Sequence, residues 1–165
     1  MRPISDNAII LCRMQGDLFA NYSDFSPCSP LVFIRRFMFS RLAERFDDIS
    51  VLCEISSIKT FCDEINEQYR PTVFGKSDSF SKEALYWTGY MYRYWVYRYE
   101  ISSSELYRHV KPKMLLERYY LYHSQDPEYV IERISEEEKI ELPPKKRIED
   151  ILQEYIKFVE SENKK

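Results

Sequence analysis

Apolar residues recur every three to four positions along most of the chain, which is the spacing of one face of an α-helix. This pattern predicts a mostly α fold built as an irregular helical bundle. The predicted helices span residues 7–19, 29–47, 57–69, 81–99, 103–110, 112–123, 126–139 and a last segment after 147. Residues 48–54 are predicted as a short helix or turn. A strand over 8–12 is an alternative to the first helix, and 72–74 fits one short β segment.

Helix-start signals support several of these boundaries. Ser29-Pro30 and Asp126-Pro127 each combine a capping side chain with proline at the first helical position. Ser81 is placed to cap the helix over 81–99. Ser102 and Glu105 have the spacing of a capping box, which predicts the start of the next helix.

The segment from Tyr86 to Tyr99 is unusual because eight of its fourteen residues are aromatic. On a helical projection with about 100° per residue, its apolar side chains cover both sides and leave no broad polar face. A helix that is apolar all round belongs in the middle of a bundle. We therefore expect the helix over 81–99 to be the central helix of the protein.

Gly89 and Arg93 are the exceptions in this helix, and they are neighbours at positions i and i+4. Glycine in mid-helix costs about 1 kcal/mol relative to alanine, so the close approach of another helix or of a ligand should offset it. An arginine among rings must reach water, pair with a carboxylate or stack on a ring. One interpretation is a core helix whose arginines pair internally.

Two functional interpretations of the same helix stay open. In the first, Tyr86, Tyr90, Arg93 and Tyr97 line a pocket for a planar or anionic ligand, and Gly89 gives access to it. In the second, the rings form a stacking platform for single-stranded nucleic acid. The net charge of −3 opposes the second interpretation, because nucleic-acid affinity depends on many cations against phosphate.

Composition excludes several kinds of site. With only three glycines, the chain has no glycine-rich loop and therefore no P-loop or dinucleotide-binding fingerprint. The cysteines form no CxxC pair, and neither histidine lies near a cysteine in the sequence. The spacing of these residues therefore predicts no zinc site. We expect no cofactor. The four cysteines are Cys12, Cys28, Cys53 and Cys62.

Hydropathy and cysteine usage indicate a cellular location. No segment approaches the roughly 20 apolar residues of a membrane span. The apolar run over 8–12 is too short for the core of a secretory signal. These features predict a cytoplasmic protein, without a membrane anchor, in which all four thiols are buried.

His123 and Asp126 form the second candidate site, in the segment that follows Tyr119. Histidine is suited to proton transfer near neutral pH. The alternative is a helix–helix turn, in which Asp126 caps backbone N–H groups and His123 packs among tyrosines. Nothing in the sequence places a cysteine beside a histidine, and no residue pattern requires catalysis.

The side of the helix over 29–47 that lies off its apolar face carries a basic stripe. Such a stripe is usually a solvated surface, and the sharper interpretation is a site for an anion or an acidic partner. Its members are Arg35, Arg36, Arg41 and Arg45.

The chain divides into a helical core over 1–141 and an appendage over 142–165. Residues 142–146, with two prolines and two lysines, form the clearest linker. Beyond it, apolar residues at helical spacing predict an amphipathic helix that binds a partner or a second copy. These residues are Ile148, Ile151, Leu152, Tyr155 and Val159.

The YWTGYMYRYW run over 86–95 and the YHSQDPE segment over 122–128 resemble a group of small bacterial proteins of uncharacterised activity. These proteins are encoded beside toxin–antitoxin-type cassettes, some with an ADP-ribosyltransferase-like neighbour. The likeness covers roughly residues 85–134, with a weaker match at 29–46. It implies a partner-binding role, such as that of an antitoxin, and it assigns no catalytic residue.

Three functions follow as expectations. The leading one is a protein-interaction module, with an antitoxin-like role in a bacterial gene pair as its specific form. The second is a small-ligand or nucleotide-binding protein that uses Arg93 among tyrosines. The third is single-stranded nucleic-acid binding, which the net acidity opposes.

Overall fold

The computed structural model describes residues 3–54, 56–73, 75, 79–142, 155, 156 and 159. Of these residues, those up to 142 form eight α-helices and two short 3₁₀-helices, and no described residue lies in a strand, which confirms the mostly α fold. The 3₁₀-helices are Tyr22–Asp24 and Ser50–Cys53. The α-helices, in chain order, are α1 (Asp6–Asn21), α2 (Pro30–Met38), α3 (Arg41–Asp47), α4 (Ile58–Tyr69), α5 (Lys82–Tyr99), α6 (Ser103–His109), α7 (Pro112–Tyr122) and α8 (Pro127–Glu138).

Serine and aspartate side chains begin most of these helices. In five of them a serine hydroxyl accepts a hydrogen bond from the backbone N–H three residues later, which satisfies a donor that the first turn leaves unpaired. The five serines are Ser5, Ser40, Ser57, Ser81 and Ser102. The Asp126 carboxylate does the same for α8, where it accepts from the N–H groups of Glu128 and Tyr129.

Helix α5 is the central element, as its ring-rich sequence predicts. It packs most extensively against α1 and also contacts α6, α7 and α8. Tyr92, Arg93 and Trp95 have no exposed surface. Buried tyrosine hydroxyls find backbone partners: Tyr92 Oη donates to the Val110 carbonyl at 2.6 Å, and Tyr97 Oη donates to the Phe46 carbonyl. The aromatic segment is therefore the core of the bundle.

The predicted single helix over 29–47 is wrong in one respect, because the chain breaks it into α2 and α3. Ser40 causes the break. Its hydroxyl donates to the Phe37 carbonyl at 2.7 Å and accepts from the Ala43 N–H at 3.1 Å, so it ends one helix and caps the next. The apolar periodicity continues across the break, which is why the spacing alone did not reveal it.

Two further expectations need correction. Thr72 and Val73 adopt no regular secondary structure, and Val73 is 85% exposed, so the described part of the 72–74 stretch is not a strand. A lone apolar stretch with no neighbouring strand has no ladder to join. Cys53 is exposed, whereas the other three thiols are buried. Cys53 ends a surface 3₁₀-helix, which turns its side chain away from the core.

The end of the chain is described only in part. Leu142 packs against the core, and most of the predicted linker and last helix lies outside the described residues. Tyr155, Ile156 and Val159 are helical, and all three are exposed. Among the helices of the described segments, none combines the length and the hydropathy needed to cross a bilayer.

Candidate functional site

Helices α1 and α5 cross at two glycines, Gly16 and Gly89. A Cβ atom built on Gly89 would lie 2.6 Å from the Gln15 carbonyl oxygen and 3.0 Å from the Gly16 Cα. The space beside Gly89 is therefore filled by the backbone of α1. The glycine permits the two helices to approach closely, which offsets its low helix propensity, and the structure places no opening for a ligand there.

Arg93 lies next to this crossing and is completely buried. Its Nε donates to Gln15 Oε1 at 2.7 Å, its Nη1 to Asp47 Oδ1 at 2.5 Å, and its Nη2 to Ser103 Oγ at 2.8 Å. The guanidinium also stacks near two rings, with Cζ 5.3 Å from the centroid of Phe46 and 5.5 Å from that of Tyr97. A buried cation is tolerated here because a carboxylate and two neutral acceptors surround it.

Asp47 connects this arginine to a third part of the fold. Its Oδ1 also accepts from Ser103 Oγ at 2.6 Å, and its Oδ2 accepts from the Ser103 N–H at 2.9 Å. The last residue of α3 thereby satisfies a donor in the first turn of α6. Burial raises the pKa of Tyr97 and of Cys12 to about 12, in both cases against the opposing effect of the Arg93 charge. Both groups are therefore neutral near pH 7. The hydrogen bonds around Arg93 and Asp47 hold α1, α3, α5 and α6 together.

An open groove lies at the other end of α5, where the first turns of α5 meet the ends of α1 and α7. Its volume is about 460 Å³. The more buried lining residues are Ala20, Tyr86, Trp87 and Tyr119. Asn21 is partly exposed, as are Tyr86 and Tyr119, and the exposed lining residues are Lys82, Glu83 and His123. Lys82 Nζ donates to Asn21 Oδ1 at 3.2 Å, which links the two helices along one side.

The rings around this groove contact one another. The Tyr119 centroid lies 6.0 Å from Trp87, 5.2 Å from Tyr120 and 4.8 Å from His123. His123 Nδ1 lies 3.0 Å from the Tyr119 carbonyl, to which it donates. Tyr120 is 81% exposed, and the neighbouring Leu121 is 66% exposed. A chain of rings thus runs from the core at Trp87 to the surface.

Tyr86, Tyr90 and Tyr94 form a stack along one side of α5. Their centroids are 6.5 and 6.2 Å apart in order, with interplanar angles of 27° and 24°. Tyr94 Oη donates to Glu128 Oε1 at 3.2 Å, and burial together with that carboxylate raises the pKa of Tyr94. Burial also raises the pKa of Tyr86 and Tyr90. All three phenols are neutral near pH 7.

The structure separates the residues that the sequence placed in one pocket. Tyr86 and His123 come together in the open groove. Gly89 and Arg93 lie in the α1–α5 contact, and Tyr97 lines a different cavity of about 310 Å³ beside Asp47. Tyr90 belongs to the tyrosine stack. Asp126 is a helix cap, as the turn interpretation expected.

Sequence reasoning missed Trp87, Tyr119 and Lys82 as groove residues. Trp87 was assigned to the core with its neighbours, and at 9% exposure it does lie at the core boundary. Tyr119 and Tyr120 follow each other on α7, so only one of them can face the core. That pairing is a usable signal for a surface ring, although it does not identify which helix lies opposite.

The three buried thiols lie outside the lining of the groove, and one of them, Cys12, lies near Arg93. Burial raises the pKa of both Cys12 and Cys62 to about 12, which keeps these thiols protonated near pH 7. In the part of the chain that the structure covers, no three His, Cys, Asp or Glu side chains are placed to hold a metal ion. His109 lies 3.2 Å from Glu105 on the surface of α6.

Comparison of the chain with protein families, with curated proteins and with solved structures finds no match. Its function must therefore be argued from the geometry above.

Proposed function

We propose that the protein is a protein-interaction module and that the groove between α1, α5 and α7 is its docking site. An antitoxin-like role in a bacterial gene pair is the specific form of this proposal. The observation that carries it is the chain of rings that passes from Trp87 through Tyr119 to the 81% exposed Tyr120 beside an open groove. Aromatic side chains with a polar rim are typical of the residues that dominate protein interfaces.

A polypeptide segment fits the groove better than a small molecule does. Small-molecule sites bury most of the ligand surface, whereas this groove is wide open to solvent. A peptide chain can place one apolar side chain against Trp87 and continue across Tyr120. Lys82 and Glu83 at the edge offer charges of both signs to its polar groups.

The small-ligand or nucleotide alternative has less support. It depended on Arg93 as the anion-binding group, and this side chain is fully buried with its guanidinium bonded to Gln15, Asp47 and Ser103. Release of Arg93 would leave Asp47 without its cation. Lys82 is the cation that lines the groove, and Glu83 beside it offsets its charge.

The test is co-expression with the products of neighbouring genes, followed by pull-down, identification of the bound protein and titration calorimetry with that protein. Tyr120→Ser and His123→Ala change exposed residues, so we expect both variants to fold normally. Each should weaken binding of the identified partner about tenfold or more, as expected for aromatic interface residues.

Ile10→Ser is the matched control, because Ile10 is also an exposed apolar residue, at 45%, and does not line the groove. Its affinity should equal that of the wild type. An equal loss of affinity in all three variants would show that the partner binds a different surface. Failure to pull down the product of any neighbouring gene would contradict the proposal.

Two further parts of the proposal concern assembly and location. The exposure of Tyr155, Ile156 and Val159 supports binding of a partner or a second copy through the end of the chain. Light scattering coupled to size exclusion should then show about twice the 20.0 kDa chain mass for the full chain and the mass of a monomer for a chain ending at residue 142. Four free cysteines support a cytoplasmic location, where thiols stay reduced.

A further inference from the structure

A second surface, which shares no residue with the lining of the proposed docking groove, combines rings with cations. We name it the basic aromatic strip. It is formed by the ends of α2 and α4 together with α6 and the residues that follow it. Its members are Arg35, Arg36, Phe39, Tyr69, Tyr107, Arg108 and Lys111.

The strip contains three aromatic rings, those of Phe39, Tyr69 and Tyr107, and contacts among these residues link the end of α2 with α4 and α6. The centroids of Phe39 and Tyr107 are 5.4 Å apart in an edge-to-face arrangement. Tyr69 Oη donates to the Phe39 carbonyl at 2.9 Å. Phe39 is 38% exposed, and both tyrosines are partly exposed. The strip therefore presents aromatic surface to solvent at a fixed position.

A cation lies over each of these rings. Arg36 Cζ is 6.0 Å from the Tyr69 centroid, Arg108 Cζ is 5.9 Å from that of Phe39, and Lys111 Nζ is 4.7 Å from that of Tyr107. Each ring of the strip thus has a positive charge beside it.

Much of this positive charge is not neutralised. Arg108 pairs with Glu105 at 2.6 Å. Arg35 and Lys111 form no ion pair with any residue that the structure covers. The Arg36 guanidinium donates hydrogen bonds to two neutral acceptors, the Thr72 hydroxyl and the Arg70 carbonyl. Arg35 is exposed and lies near enough to Tyr69 and Tyr107 for its charge to oppose the rise in their pKa that burial causes.

We propose that the basic aromatic strip binds single-stranded nucleic acid. Unpaired cations supply contacts to phosphates, and the partly exposed rings supply faces or edges for bases, which is the combination that sequence-tolerant single-strand binding requires. An acidic polypeptide would use the cations and leave the rings without a role. The net charge of −3 does not prevent this binding, because charges farther away than about 8 Å are screened at physiological ionic strength.

This strip differs from the platform that the sequence suggested on α5. The rings of α5 are largely buried, and Arg93 among them is buried as well. These rings therefore cannot stack on the bases of a single-stranded nucleic acid. The strip also lies apart from the docking groove, and neither Phe39 nor any cation of the strip lines that groove. The two proposals can therefore fail independently.

The experiment measures fluorescence anisotropy of a labelled oligo-dT and oligo-U of about 12 nucleotides, titrated with the full chain between about 50 and 200 mM salt. Three unpaired cations predict a log–log salt slope near −2, because each phosphate contact on a single strand contributes about 0.7. Arg35→Gln and Lys111→Gln should each reduce the slope by about 0.7. Phe39→Leu should keep the slope and weaken binding about fivefold or more, since it removes a ring.

Arg13→Gln is the matched control: Arg13 is an exposed arginine on α1 without an ion pair to the described residues, and it is not part of the strip. Its affinity and slope should equal those of the wild type. The proposal is overturned if no oligonucleotide binds at low salt, if Arg13→Gln weakens binding as much as Arg35→Gln, or if a DNA duplex binds equally well. Displacement by poly-glutamate at equal charge concentration would instead assign the strip to an acidic polypeptide.

Discussion

Gly89→Ala tests the α1–α5 contact on which the rest of the fold depends. The added methyl group would lie 2.6 Å from the Gln15 carbonyl oxygen, about 0.8 Å inside ordinary van der Waals contact. Gln15 sits in the middle of α1, so its oxygen cannot move without displacing the helix. That displacement would also disturb the 2.7 Å hydrogen bond between Gln15 and Arg93.

The magnitude follows from two opposing terms. Alanine gains about 1 kcal/mol over glycine in a helix interior. Overpacking at a rigid contact typically costs about 1–3 kcal/mol, and the cost falls at the upper end when backbone rather than a side chain must move. We therefore expect a net loss of about 1–2 kcal/mol in the free energy of unfolding. For a chain of this length that corresponds to a fall of roughly 2–8 °C in Tm.

Urea denaturation followed by circular dichroism and by tryptophan fluorescence measures this loss, since coincident transitions show two-state unfolding. Gly16→Ala is the comparison. Its methyl group would meet the Tyr86 ring at 2.9 Å, and that ring is only partly buried and can tilt, although the Tyr86 carbonyl lies at 3.0 Å. The loss should be smaller than for Gly89→Ala. A stabilised Gly89→Ala variant would refute the view that backbone contact explains this glycine.

Further predictions concern single side chains. Asp47→Ala should cost about 3–5 kcal/mol of stability in urea denaturation, because it leaves a fully buried guanidinium without its carboxylate; a loss below about 1 kcal/mol would contradict this reasoning. Thr88→Val should be neutral or stabilising by about 1 kcal/mol, because the Thr88 hydroxyl is buried without a hydrogen-bond partner among the residues that the structure describes; a clear destabilisation would show that the hydroxyl is bonded. A thiol reagent should modify Cys53 rapidly in the native protein and all four cysteines after unfolding. Since burial raises the pKa of Cys12 from 9.0 to about 12, the thiol stays neutral when folded and ionises when unfolded. Stability should therefore be intact below pH 9 and fall by up to about 1.4 kcal/mol per pH unit from Cys12 alone between pH 9 and 12. Equilibrium urea denaturation across that range measures the fall, which Cys12→Ala should reduce.

Local sequence signals predicted the helices well, because their causes are local. Apolar spacing and the serine or aspartate caps are properties of a few adjacent residues, as at Ser81 and Asp126. The break at Ser40 was missed because the same signals continue through it. A serine inside an apolar pattern can cap a new helix or remain within the old one, and the packing of neighbouring helices decides between them.

The candidate site was less predictable than the fold. Tyr86 and His123 were both singled out, yet nothing in their spacing showed that α7 brings His123 to the first turns of α5. The role of Arg93 was limited to a few options by the cost of burying its charge, and its partner proved to be Asp47, 46 residues away. A contact at that separation depends on how α3 and α5 pack.

The amino-acid sequence by itself determined that this chain is helical, that the segment from Tyr86 to Tyr99 is its core, and that Arg93 must have a partner, because periodicity and the cost of burial act wherever the residues are placed. Only the tertiary structure decided that α1 fills the space at Gly89 and that Asp47 holds Arg93. It alone also brought rings together in the groove and in the basic aromatic strip. These arrangements join residues distant in the chain, and such contacts form only when whole helices pack.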